Sequence, residues 1–206
     1  MDMIKDPGEI EKRSMEIIEE NLPELMKIPA QEREIIKRVI HTTGDFSCAS
    51  LVKITSGAVE AGLAALRKGK PIMTDVNMLK AGLMTQKMQH FGIQAYCLIS
   101  DPEVISTAKK NGITRAMAAM KKGAINAQGG IIAVGNAPTA LFTLCNMIKE
   151  GEANPALVVG TPVGFVGAAE SKDFLLECGV ECITMPGTRG GSTIAASIIN
   201  ALLLMA

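Results

Sequence analysis

Five short apolar runs constrain the fold of this 206-residue chain more than any other feature: PIMTDV from Pro71, AYCLIS from Ala95, GIIAVG from Gly130, ALVVG from Ala156 and ECITMPG from Glu181. None alternates apolar with polar residues, which is the pattern of strands covered on both faces. Each is closed by a glycine, a proline or a small polar residue and is followed by a helical segment. Such a βαβ series gives a mostly parallel sheet with right-handed crossovers. The expected fold class is α/β: a doubly wound sheet with helices on both faces, preceded by N-terminal helices, all in one domain over residues 1–206.

The N-terminal helices announce themselves by their ends. Asp6, Pro7 and Glu9 read as a cap, a first-turn proline and a first-turn acid, so a helix is expected from there to about Leu25. Pro29 opens a second, in which Ile35, Ile36, Val39 and Ile40 repeat at helical spacing and Gly44 supplies the stop. A third is expected between Ser56 and Gly69. The terminal segment from Ile194 to Ala206 is apolar nearly all round, which calls for burial on several sides, either as a core helix or at an interface.

Lys and Arg balance Asp and Glu at 21 each. No basic excess advertises nucleic acid or an anionic membrane as a partner. The polar, acidic start has no signal-peptide core, and Ile194–Ala206 is too short to span a bilayer, so a cytoplasmic location is expected. The five cysteines are dispersed and read mostly as buried thiols. Cys178 and Cys182 lack a second Cys or His pair nearby, so no metal site is expected.

Three loops follow strands and lead into helices: GNAPTAL from Gly135, GTPVGFVGAAESK from Gly160 and PGTRGGSTIAAS from Pro186. In open α/β sheets that edge is where ligands sit. Unpaired N–H groups at a helix start suit an anion, whereas glycines equally serve plain tight turns. Neither a G-x-G-x-x-G nor a G-x-x-x-x-G-K-[ST] fingerprint is present, which argues against a nucleotide cofactor.

Only two histidines occur. His41 closes the second helix, with Arg38 one turn before it and the apolar stripe beside both, so it is expected at the border of core and cleft. The helix C-terminus favours its protonated form, while Arg38 and partial burial oppose it. Such a balance suits a proton donor near neutral pH, and a structural role stays open on chemistry alone. His90 reads as structural. Glu170 and Asp173 read as cap or surface charges.

Taken together, IEKRSMEII, RVIHTTGDF, GKPIMTDVNMLKAG, GITRAMAAM, AVGNAPTAL, GTPVGFVGAAESK and GTRGGSTIAASIINALL resemble the precorrin-8X (cobalt-precorrin-8) methylmutase family, in order and over nearly the whole chain. The resemblance implies a cofactor-independent isomerase of cobalamin biosynthesis that moves a methyl group from carbon 11 to carbon 12 of a polycarboxylate tetrapyrrole. It implies His41 as the proton donor to a ring nitrogen. It further implies substrate contacts from Ser14, Arg38 and Arg115, and a loop over Gly187, Arg189, Gly190, Gly191 and Ser192 whose amides hold a side-chain carboxylate. A homodimer is implied as well. A tetrapyrrole carrier without chemistry would use the same loops.

Overall fold

The computed structural model describes residues 4–206. Ten α-helices and six strands alternate from Pro7 onward, and the strands form one sheet in the order β1-β6-β5-β4-β2-β3. The five runs supply β2 (Ile72–Thr74), β3 (Ala95–Tyr96), β4 (Ile131–Val134), β5 (Leu157–Gly160) and β6 (Cys182–Thr184), all parallel to one another. The sixth, β1 (Lys53–Ile54), pairs antiparallel with β6 at one edge. Its two residues carry no apolar run, so nothing in the sequence marks it. At the other edge β3 is only partly buried, a departure from the expectation of strands covered on both faces.

Why the inner strands lack polar alternation is visible in their packing. Along β4, Ile131 and Ala133 join one core cluster, while Ile132 and Val134 join another on the opposite face. The first cluster also holds residues of α2 (Ala30–Thr43), α3 (Ala58–Arg67) and α10 (Ser192–Met205). The second holds residues of α7 (Arg115–Gly123), α8 (Pro138–Lys149) and α9 (Ala168–Leu176). A strand facing apolar helices on both sides has no face to give to water.

The helix ends follow local chemistry. Asp6 caps α1 (Pro7–Asn21) by accepting a hydrogen bond from the Glu9 N–H at 2.8 Å. This helix stops at Asn21 rather than near Leu25, because Pro23 has no N–H to continue it and starts a 3-10 turn over Pro23–Lys27. The expected stripe of α2 is buried throughout, and Gly44 ends that helix with φ 64°. Between α1 and α2, the buried Lys37 ammonium bridges Glu19 at 2.7 Å and Glu34 at 2.8 Å.

The terminal helix settles its own alternatives within one chain. Ile194, Ile198, Ile199, Leu202 and Leu203 are buried against the chain's own helices and sheet, chiefly α2. Its apolar girth is explained by a central position in the core, so α10 carries no argument for a subunit interface. Among the described residues no helix is long and apolar enough to cross a membrane.

Candidate functional site

The strand order turns between β2 and β4, and a ligand crevice is expected at such a turning point. Here the protein fills it. Asp75 follows β2, is almost completely buried, and accepts hydrogen bonds from the N–H groups of Gly135 (3.0 Å), Asn136 (2.8 Å) and Ala137 (2.9 Å). The expectation of an anion site on the GNAPTAL loop is thereby corrected: the anion is a side chain of the chain itself. Burial pushes the Asp75 carboxyl pKa up, and the three amides pull against that shift.

The second loop, after β5, packs on the third through two backbone hydrogen bonds. Thr161 accepts the Gly191 N–H on its carbonyl oxygen at 2.7 Å, and the Gly164 N–H donates to the Thr188 carbonyl at 3.1 Å. The two backbones approach so closely that a Cβ on Gly190 would lie 2.3 Å from the Thr161 oxygen, so only glycine fits there. Gly191 therefore has no free amide for a substrate. Gly187, Thr188, Arg189, Gly190 and Ser192 keep N–H groups that donate to no acceptor among the described residues. The expected three-loop anion site thus loses its first loop, and from the third loop the Gly191 amide.

His41 stands on the wall of a cleft of about 400 Å³, lined also by Arg38 and Thr42 from α2, Gly82 and Met84 from a turn, and Thr193, Ser197 and Leu204 from α10. The imidazole is exposed, not partly buried as the helical stripe suggested, because its position on α2 faces the cleft and not the core. It donates to and accepts from no described residue. The cleft has a fixed floor: Asn200 accepts the Met84 N–H at 2.9 Å and donates to the Gly82 carbonyl at 2.8 Å, locking the turn onto α10. Thr193 and Leu204, the two residues of α10 that are exposed, both lie on this cleft.

Arg38 shares the cleft but is not a free cation, since its guanidinium pairs with Glu11 of α1. Ser14 lies one turn beyond Glu11 on the same helix and donates to the Ile10 carbonyl at 2.9 Å. Arg189 is likewise engaged, donating to Asp45 at 2.8 Å and to the Ser47 hydroxyl at 2.7 Å. Asp45 sits four residues after His41, so this contact ties the glycine loop to the end of the histidine's helix. Ser47, Ser50, Leu51, Pro186, Gly187 and Arg189 border a second cleft of about 350 Å³. Arg115, exposed at the start of α7, lines neither cleft; its neighbour Thr114 contacts Thr139 of α8 at 3.2 Å. His90 is exposed, with its ring edge-on to Phe91 at 4.9 Å.

Four residues of the site carried no assignable sequence signal. Asp75 is a charge closing an apolar run, and that placement was the only available hint, whereas Lys172, between Ser171 and Asp173, reads as an ordinary helix charge. Glu11 and Asp45 look like ordinary surface acids until the fold sets them beside their arginines.

An α/β sheet with an exposed histidine, an arginine one turn away and a loop of open amides near its carboxyl edge is the layout of an enzyme for an anionic small molecule. Comparison with known proteins gives that class a family. The precorrin-8X methylmutase family model matches residues 9–205. The chain is 42% identical over 200 residues to the cobalt-precorrin-8 methylmutase of Priestia megaterium, covering 97% of this chain and 88% of that one. It is 39% identical to that of Methanocaldococcus jannaschii over 207 residues, 98% of this chain and 95% of the other. A solved precorrin-8x methyl mutase from Thermus thermophilus superposes with a TM-score of 0.85 at 36% identity, over 95% of this chain and 96% of that one. The chain belongs to the precorrin-8X methylmutase family, enzymes that are isomerases of cobalamin biosynthesis.

Proposed function

We propose that this enzyme moves the methyl group on carbon 11 of precorrin-8, or of its cobalt form, to carbon 12, giving hydrogenobyrinate or cobyrinate. His41 gives a proton to a ring nitrogen, the neighbouring carbons become electron-poor, the methyl group migrates within the macrocycle, and the proton returns to the imidazole. Atoms balance without a co-substrate, because the reaction is an isomerisation.

The observation that supports this most is His41 itself, exposed on a cleft wall with no partner among the described residues, so its ring nitrogens are open to a ligand. The loop with open amides supports a polycarboxylate ligand, since charge-assisted hydrogen bonds from N–H groups suit carboxylates. Arg38 and Arg189 would contribute to that field once the substrate competes with Glu11 and Asp45 for them. Ser14 and Arg115 would reach the rim of a ligand wider than either cleft. A cytoplasmic homodimer is part of the same proposal; Phe165 and Val166, 94% and 90% exposed on the loop after β5, offer an apolar contact for a second copy, and light scattering of the purified protein checks it.

The decisive experiment mixes purified protein with precorrin-8 or its cobalt form, without added cofactor, and follows the visible spectrum beside a His41→Ala control. Catalytic conversion by the wild type alone is expected. His41→Ala should keep tetrapyrrole affinity within about tenfold, since one hydrogen bond contributes about 1 kcal/mol net. A stoichiometric spectral change, identical in both proteins, would instead identify a carrier.

A further inference from the structure

Lys172 of α9 is completely buried, and its ammonium has a single hydrogen-bond partner among the described residues, the Arg189 carbonyl at 2.7 Å. An ammonium carries three donors, and burying it with one acceptor is costly. An apolar side chain of the same length would fill the space more cheaply. The place of this contact gives the charge a purpose.

We propose that Lys172 is a positioning residue that builds, from behind, the pair of backbone amides at Arg189 and Gly190 that holds a substrate carboxylate. This rests on the polycarboxylate reading of the substrate given above. In a trans peptide the C=O and the following N–H point in opposite directions, and none of the described peptide bonds is cis. Lys172 holds the Arg189 carbonyl on the buried side, so the Gly190 N–H points away from it. One peptide earlier, the Gly164 N–H holds the Thr188 carbonyl, so the Arg189 N–H is turned away in the same manner. Two successive N–H groups without acceptors among the described residues form a small anion-binding concavity.

The ammonium adds polarisation to orientation. A cation on a peptide oxygen withdraws electron density and makes the N–H of the same peptide a stronger donor. Charge thus reaches the carboxylate through one peptide, with the cation itself sealed from water and from competing anions. The Arg189 side chain does not supply it, being turned to Asp45 and Ser47. Burial pulls the Lys172 pKa down to about 8, against an opposing pull from Asp173, which matches a charge kept at a cost.

The test is Lys172→Met, which keeps length and removes charge and donor. Cobyrinate, the stable product, is titrated into wild type and variant by calorimetry, with turnover of precorrin-8 and Tm measured alongside. Expected are an affinity loss of about tenfold or more, a matching rise in KM, kcat within about twofold and a Tm no lower than wild type. Lys172→Arg should recover part of the affinity. Unchanged affinity and KM in the Met variant overturn the proposal, as does affinity lost together with Tm, the mark of a purely structural lysine. If the variant does not fold, wild-type amide NMR decides: cobyrinate should shift the Arg189 and Gly190 signals most, and stationary signals there during binding overturn it. Wild type that binds no cobyrinate and turns over no precorrin-8 removes the substrate reading first, an outcome distinct from a binding wild type with an unaffected variant.

Discussion

The loops after β4 and β6 look alike in sequence and are opposites in the fold. Both follow an apolar strand, both carry glycine, and both lead into a long helix. Behind the first stands a buried acid, Asp75, which consumes three amides. Behind the second stands a buried base, Lys172, which consumes a carbonyl and leaves the amides facing out. The difference teaches that a glycine loop at a sheet edge is a ligand site only if the protein has not already supplied the ligand. Whichever group the second layer presents decides the matter.

The sharpest way to break this contrast is to remove the acid. Asp75→Ala leaves three amides without acceptors beneath the β4 loop and should cost about 3–5 kcal/mol by urea unfolding. Asp75→Asn, with one acceptor oxygen and the same shape, should lose about half as much. A cost near zero for both would mean that water serves those amides as well.

Next in size, Gly190→Ala forces the β5 and β6 loops apart, since its Cβ would lie 2.3 Å from the Thr161 oxygen and 2.7 Å from that of Pro162. Backbone has to move, at about 1–3 kcal/mol in the same assay.

Lys172→Met should differ in sign, raising stability by about 1–2 kcal/mol at pH 7. Its pH dependence sharpens the contrast further. The folded pKa of about 8 lies below the ordinary 10.5, so between these values the unfolded chain keeps a proton that the folded chain has released. Wild-type stability should therefore climb with pH across that window, and the gap to the Met variant should close. Asp75 runs the other way. Its pKa is raised above 3.8, so above that value the folded chain holds the extra proton, and stability contributed by protonation falls as pH rises through the raised pKa.

The smallest effect belongs to the exposed contact between the two ends of the site. Arg189→Ala breaks the pairing with Asp45 at 2.8 Å and should leave Tm within about 2 °C, because surface ion pairs contribute little. Cobyrinate affinity measured on the same variant separates a substrate-binding side chain from a tether.

The sequence by itself determined the elements and the order in which they alternate. Local signals suffice for these: the Asp6 cap, the stripe Ile35, Ile36, Val39 and Ile40, the Gly44 stop, and unbroken apolar runs for β4 and β5. It also set Arg38 one turn from His41, since helical spacing alone brings those two together. What it left open was every question whose answer lies far along the chain. Asp75 meets amides 60 to 62 residues away, and Arg189 meets Asp45 across 144. Lys172 and Arg189 are only 17 apart, but a strand and two turns separate them, and no periodic pattern connects such positions. The two-residue β1 and the central burial of α10 belong with these, because an edge pairing and a choice between core and interface are settled by neighbours. Local preference is carried by adjacent residues, whereas the state of a polar group, open or satisfied, depends on which distant partner the tertiary structure delivers.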